Sequence, residues 1–180
     1  MSEIEVTVAD RPIREVNQEI RRAVADGDAV FVRDVRSRHN LAVGLPQGAR
    51  IRFEGSVGYY CGGLNDGAEI EIGRNAAMVG GLIHVKGDAG PRCGVAMKAG
   101  DIVVEGKIGY LSGFMAHAGR IIALGGAGTA CADSLWGGEV WVAGPVESLG
   151  VDSKIAEPTS EEVASVEELL ASLGLQDQTR

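Results

Sequence analysis

The fold class that the sequence predicts is all-β, a parallel β-helix of about five coils of about 19 residues, with a small N-terminal αβ cap and a C-terminal helix. Glycines recur at a step of 19 residues, at Gly87, Gly106, Gly125 and Gly144. Further glycines follow in most repeats, and an earlier copy opens at Gly55. A short apolar stretch precedes most of the opening glycines: EIEI, DIVV, RIIA and EVWV. A fixed period of this length is typical of a solenoid, in which like positions form columns.

Composition narrows the class of protein. The chain has 180 residues, the length of one domain, and its 27 glycines with 4% aromatic residues predict a core of small side chains. A formal net charge of −8 argues against nucleic acid or an anionic membrane as partner. No apolar run approaches the ~18 residues of a membrane span. Three cysteines without a secretory signal predict a reducing compartment, so we expect a cytoplasmic protein.

Residues 1–50 are predicted to form the αβ cap, which would cover the open end of the solenoid. Alternating apolar residues predict a strand over 3–9, and AVFVRDV at 29–35 and NLAVGL at 40–45 predict two more. Between them, Pro12 fits a first helical turn and Gly27 a helix end. One helical face collects the apolar residues Ile13, Val16, Ile20, Ala23 and Val24.

Residues 51–150 are predicted to form the parallel β-helix with its GXGXG repeats. Two positions of each coil should point inward, because residues two apart share a strand face; they hold Ile70 and Ile72, Ile102 and Val104, Ile121 and Ala123, and Val140 and Val142. The outward position between them holds Glu71, Val103, Ile122 and Trp141. This outward stripe is either a docking patch or a surface covered by the terminal helix. One coil, at 74–86, is shorter than the rest.

Residues 151–180 are predicted to form a C-terminal helical tail. Thr159 and Glu162 have the spacing of a capping box, which starts a helix. Its apolar stripe consists of Val163, Val166, Leu169, Leu170 and Leu173, and Gly174 ends it. At the end of a solenoid this helix is either a lid or a partner-binding arm, and the lid is the expected role.

No residue is assigned a catalytic, cofactor-binding or metal-binding role. Cys61, Cys93 and Cys131 share one coil position with Ser112, which predicts a column of small core residues. The three histidines lack metal-ligand spacing, and the carboxylates Asp66, Asp101, Glu105, Asp133 and Glu139 are interpreted as solvated corner residues. No base is placed beside Ser134. The run LGGAGTACA lacks a full G-x-G-x-x-G and its glycines recur in other coils, which disfavours nucleotide binding.

A polar run in the cap, Arg36-Ser37-Arg38-His39-Asn40, has two interpretations. It is a solvated loop, which is the favoured interpretation, or a site for an acidic partner surface.

The repeats resemble a known family. The stretch EGKIGYLSGFMAHAGRIIALGGAGTACADSLWGGEVWVAGPVESLG resembles the GXGXG β-helix domain at the C-terminal end of the glutamate synthase large subunit. With RSRHNLAVGL, VGYYCGGLNDGAE and VESLGVD, the chain is more similar to the stand-alone form of that domain, as in N-methylglutamate synthase. The resemblance covers roughly residues 36–155 and is most specific over 87–150.

This resemblance implies a right-handed β-helix without catalytic residues of its own. It implies a hetero-oligomer in which the chain bridges a class II glutamine amidotransferase-like subunit and a synthase subunit that carries FMN and an iron–sulfur cluster. A formylmethanofuran dehydrogenase-type complex, which has a subunit with the same repeats, is the alternative. A free-standing β-helix enzyme is a third hypothesis, disfavoured because the chain lacks a hexapeptide rhythm and a histidine trio. The short coil at 74–86 departs from the pattern and implies the loss of about one coil relative to longer relatives.

Overall fold

A computed structural model describes residues 2–58, 61–63, 68–74 and 81–176, apart from the side chains of residues 73 and 74. The described residues form a parallel β-solenoid of about five turns, with one helix near each terminus. The predicted fold class is therefore confirmed. Neither described helix is long and apolar enough to cross a lipid bilayer.

The described residues contain ten strands and two helices. Their bounds in chain order are β1 Glu3–Thr7, α1 Ile13–Ala25, β2 Ala29–Arg33, β3 Arg50–Ser56, β4 Glu69–Arg74, β5 Leu82–Val85, β6 Asp101–Val104, β7 Lys107–Ile108, β8 Arg120–Ala123, β9 Gly126–Ala127, β10 Glu139–Val142 and α2 Ser160–Ser172.

One side of every coil belongs to a single eight-stranded sheet. Its strands are all parallel, in the order β1-β2-β3-β4-β5-β6-β8-β10. The register places like coil positions side by side, so that Ile102 pairs with Ile121 and Ile121 with Val140. The inward residues of β4, β6 and β8 are buried, and those of β10 are partly buried. The predicted inward ladder is therefore confirmed.

The other two sides of the coil contain little regular strand. The two-residue strands β7 and β9 pair on one of them, and single bridges extend this ladder to Ala89 and Val146. Turns occupy the remaining side, where backbone amides still donate to the neighbouring coil, as from Gly113 to the carbonyl of Cys93 at 2.8 Å. Backbone hydrogen bonds therefore join consecutive coils on all three sides.

The N-terminal segment contributes two strands and a helix, and not the third strand expected at 40–45. The predicted strand at 3–9 is confirmed as β1, the one at 29–35 as β2, and the helix as α1. Asn40 and Ala42 have φ of 58° and 52°, which no strand accommodates. The buried side chain of Asn17 holds this segment, donating to the carbonyl of Asn40 and accepting from the amide of Ala42, both at 2.7 Å.

The short coil keeps its place in the sheet. Thirteen residues separate the paired residues Glu69 and Leu82, whereas nineteen separate Leu82 from its partner Asp101. Residues 75–80 of this coil lie outside the described residues. Strand β5 nevertheless pairs with both of its neighbours without a shift in register.

Helix α2 begins at the predicted capping box. The Thr159 hydroxyl accepts from the Glu162 amide, and the Glu162 carboxylate accepts from the Thr159 amide at 2.7 Å. The helix does not close the end of the solenoid, so the expected lid is wrong. It lies along the outer face of the sheet, because its apolar stripe finds a matching apolar surface there in Val103 and Ile122.

Candidate functional site

Glycine columns bring the backbones of consecutive coils into direct contact. The amide of Gly106 donates to the carbonyl of Gly87 at 3.0 Å, and that of Gly125 to Gly106 at 2.9 Å. A Cβ on Gly125 would lie 2.6 Å from the Gly106 carbonyl carbon, and one on Gly144 would lie 2.5 Å from the Gly125 oxygen. A side chain at these positions would therefore push neighbouring coils apart.

The run LGGAGTACA, the candidate for a nucleotide-binding loop, forms part of these backbone contacts between coils. The amides of Gly125, Ala127 and Gly128 donate to carbonyls of neighbouring coils at 2.9 Å each. A phosphate loop needs such amides free to point at an anion. This segment therefore serves coil stacking.

Cys93, Ser112 and Cys131 stack in consecutive coils as predicted, since the amide of Gly113 donates to the carbonyl of Cys93 and that of Ala132 to the carbonyl of Ser112. Ser112 lies between Cys93 and Cys131, and all three are buried, as is Cys61. The cysteines are unpaired thiols, and Ser112 satisfies its hydroxyl by donating to the carbonyl of Gly109 at 2.9 Å. Burial, and then the proximity of Cys131, raises the pKa of Cys93 to about 12, and burial also raises the pKa of Cys61 and Cys131. These thiols stay protonated and are poor nucleophiles.

The described histidines lie in three separate environments. His84 is hydrogen bonded to Glu105, with Nε2 and Oε1 2.8 Å apart. His117 stacks on Trp136 with ring centroids 5.9 Å apart. His39 lies against Gly58, where a Cβ would collide with its ring. Within the described ranges, no three His, Cys, Asp or Glu side chains form a group suited to a metal ion.

The candidate carboxylates make local structural contacts. Asp101 accepts from the Arg120 guanidinium at 2.6 Å, and Glu139 from the indole N–H of Trp141 at 2.8 Å. Asp133 accepts from the Val151 amide and the Ser134 hydroxyl, and these bonds lower its pKa. The hydroxyl of Ser134 is therefore hydrogen bonded to Asp133, and the same carboxylate binds the Val151 amide of the next coil. Asp66 lies outside the described residues.

The polar run in the cap is tied to neighbouring segments. Arg36 pairs with Asp34 at 2.7 Å, which raises the pKa of its guanidinium. Arg38 donates to the carbonyls of Ala9 and Arg11 at 3.0 and 3.1 Å. Arg38 thus connects the loop to the segment before α1, whereas the side chain of Arg36 is exposed.

The outward apolar stripe is covered by α2. Val103 and Ile122 are buried in a cluster with Val166, Leu170 and Leu175. Arg120 also connects the sheet to α2, since its guanidinium donates to the Ser165 hydroxyl at 2.9 Å. The outward stripe is therefore a surface covered by the terminal helix, which is one of its two predicted roles.

The outer face of β1–β5 carries paired charges that the sequence analysis did not single out. Arg52 pairs with Glu3 at 3.0 Å and lies 4.1 Å from the centre of the Phe31 ring, while Lys86 pairs with Glu71 at 2.8 Å. Both pairs join side chains of different coils: Arg52 on β3 reaches across β2 to Glu3 on β1, and Lys86, just after β5, reaches Glu71 on β4. Only the folded stack brings these residues together. Leu173 of the segment after α2 borders the shallow groove beside them.

Most of the exposed large hydrophobic residues of the described chain belong to the last part of the solenoid, after residue 135. Five large hydrophobic residues are exposed there: Trp136, Val146, Leu149, Val151 and Ile155. Trp136 and Val151 are 76% and 65% exposed. A shallow pocket lies between Met115, Leu135 and Trp136. We call this surface the open end.

Comparison with known proteins finds a relative that matches part of the chain. The chain is 34% identical over 88 residues to Protein GlxC from Rhizobium meliloti (strain 1021). The match covers 48% of the chain but only 33% of that protein, so the chain spans about a third of the length of its relative. No known protein family matches the chain, and no solved structure matches it either.

Proposed function

We propose that this chain is a non-catalytic structural subunit of a glutamate synthase-related complex. In this proposal it bridges a class II glutamine amidotransferase-like subunit and a synthase subunit that holds FMN and an iron–sulfur cluster. N-methylglutamate synthase is the complex whose stand-alone β-helix subunit the repeats resemble most.

The observation that carries the proposal is the stacking of the GXGXG glycines. The glycines on which the resemblance to the glutamate synthase domain rests are the ones whose backbones contact the next coil. The alignment with Protein GlxC adds support: an 88-residue stretch must overlap the repeats, because neither flanking segment exceeds 50 residues.

A stacked solenoid suits the task of a spacer. Its inward ladder and three lines of backbone hydrogen bonds fix the distance between the first and last coils. Two catalytic subunits bound to such a body would keep a constant separation. The exposed side chains supply the contact surfaces, and the buried thiols take no part in chemistry.

Affinity purification of the tagged chain from its own cells tests this proposal. We expect an amidotransferase-like protein and a flavoprotein to copurify in fixed ratio, identified by mass spectrometry and by the flavin absorption spectrum. A molybdopterin-containing partner would instead support the formylmethanofuran dehydrogenase-type alternative. A monomer that copurifies with neither would contradict the scaffold role.

A further inference from the structure

The two ends of the solenoid are closed to different degrees. At the N-terminal end, α1 packs Val16, Ile20 and Ala23 into the core beside β1 and β2. At the other end, β10 pairs only with β8 among the described strands. The inward residues Val140 and Val142 are only partly buried, because no further coil covers them.

The open end therefore combines two features of an interface. An edge strand presents unpaired amides and carbonyls, to which another chain can add a strand. Beside it lie the exposed side chains of Trp136, Leu149 and Val151, and tryptophan is enriched among the residues that dominate binding energy. Exposed apolar patches of this kind mark protein contact sites.

The charge around the open end identifies the kind of partner. Between residues 133 and 157 the chain has five carboxylates and one lysine, Lys154. Glu139, Glu147 and Asp152 are exposed there. Hydrogen bonds from Val151 and Ser134 lower the pKa of Asp133, so it also stays ionised at neutral pH. The apolar centre thus has an acidic rim.

We propose that the open end is the docking surface for another subunit of the complex, one that presents an apolar contact ringed by lysine and arginine. This inference rests on the proposed function and deepens it, because it assigns a face of the solenoid to a partner. The acidic rim accelerates association with a basic surface and disfavours acidic ones.

A second copy of this chain does not fit the open end. Two such ends face to face would bring two acidic rims together, and like charges facing each other across an interface oppose association. Stacking the open end on the N-terminal end of another copy would place Glu139 beside Glu3, which has the same sign and whose carboxylate already pairs with Arg52 of its own chain.

Hydrogen–deuterium exchange on the free chain and on the purified complex tests the assignment. We expect amides in residues 136–152 to exchange more slowly in the complex than in the free chain. Trp136→Ala should weaken binding of the purified partner subunit roughly tenfold or more. Tyr110→Ala, at another exposed aromatic residue, is the matched control and should change it less than about twofold.

A charge variant tests the rim. The double variant Glu147→Lys with Asp152→Asn should weaken binding and flatten its salt dependence. Asparagine suits position 152, where φ is 63°. The control, Glu15→Lys on α1 with Asp26→Asn directly after it, changes the net charge equally at the other end and should leave affinity unchanged. Circular dichroism confirms that each variant is folded.

The outcomes separate the two proposals. A complex that forms with residues 136–152 still exchanging freely, or with Trp136→Ala binding as well as the wild type, overturns this inference and leaves the scaffold role standing. Protection of the open end by self-association of the chain alone overturns the choice of partner. Absence of any complex overturns both.

Discussion

At the scale of single residues, the glycines of each coil divide into two groups with different physical roles. Gly106, Gly125 and Gly144 have ordinary φ values, and what they supply is the absence of a Cβ where two backbones touch. Gly119 and Gly138 have φ of 92° and 84°, the left-handed region that glycine adopts without steric cost. Both groups allow close coil spacing, since a Cβ on Gly138 would lie 2.6 Å from the Gly119 oxygen, and the second group also turns the corner before each strand.

The close approach of backbones at Gly125 predicts the effect of adding one methyl group there. Gly125→Ala should lower the free energy of unfolding by about 1–3 kcal/mol, because the new Cβ would overpack against the backbone of Gly106. Gly90→Ala is the matched control, since no described atom lies within 4 Å of a Cβ built there. Urea denaturation of both variants measures the difference. Equal stability of the two variants would contradict the steric role of the column.

The buried thiols predict how stability depends on alkaline pH. Burial raises the pKa of Cys93 to about 12 in the folded state, while the unfolded thiol titrates near its ordinary value. Below about pH 8 both states keep the proton and the contribution to stability is complete. Above about pH 9 the unfolded state loses it first, so unfolding becomes easier by about 1.4 kcal/mol per pH unit per thiol, until the folded pKa is reached.

Cys93→Ser isolates this effect. A serine hydroxyl stays protonated throughout, and at the equivalent place Ser112 is satisfied by a backbone carbonyl three residues earlier. We expect the variant to fold, with a shallower loss of stability between about pH 9 and pH 11 in urea denaturation. The same slope as wild type would show that Cys93 is not the titrating group.

The sequence predicted the columns but not the backbone conformation between them. Equal spacing placed Cys93, Ser112 and Cys131 correctly, because stacking preserves coil position. Left-handed φ at Arg92 and Leu111 had no signal, since such residues rarely adopt it and only the turn ladder holds them there. Pairing of side chains from different coils, as in Arg52 with Glu3, depends on register and was missed as well.

At the scale of elements, α2 and the sheet complete each other. The outer face of a solenoid sheet is normally polar, yet Val103 and Ile122 are apolar and buried. The helix brings Val166 and Leu170 to them. Helical periodicity identified the helix and its stripe from the sequence. Periodicity carries no information about the direction of the chain after residue 150, so the expected lid at the end of the solenoid was wrong.

Removing one contact should loosen this helix. Leu170→Ala deletes a fully buried side chain from the cluster and should cost about 2 kcal/mol or more. Trp141 packs against the same cluster, so its fluorescence should shift as the helix detaches. Glu168→Ala, on the exposed side of the helix, is the control. A loss below about 0.5 kcal/mol for Leu170→Ala would mean that the helix does not stabilise the sheet.

At the scale of the whole molecule, stability passes from coil to neighbouring coil. Each strand of the sheet pairs only with the strands before and after it in the stack. The N-terminal segment, expected as a separate cap, contributes β1 and β2 to the same sheet, and its core is continuous with that of the coils. The boundary predicted at residue 50 remains a prediction. The ends of the stack therefore communicate only through the coils between them.

Because stability passes between neighbouring coils, a destabilising substitution should loosen mainly the coils next to it. Ile121→Ala removes a buried inward side chain from β8, and the loss should weaken protection against hydrogen exchange most in β6, β8 and β10. Strands β1 and β2 should lose least, because β3, β4, β5 and β6 lie between them and β8 in the sheet. Val30→Ala in β2 should produce the opposite gradient. An equal loss of protection along the whole chain in both variants would show that the solenoid opens as one cooperative unit, with no coil able to loosen independently of the others.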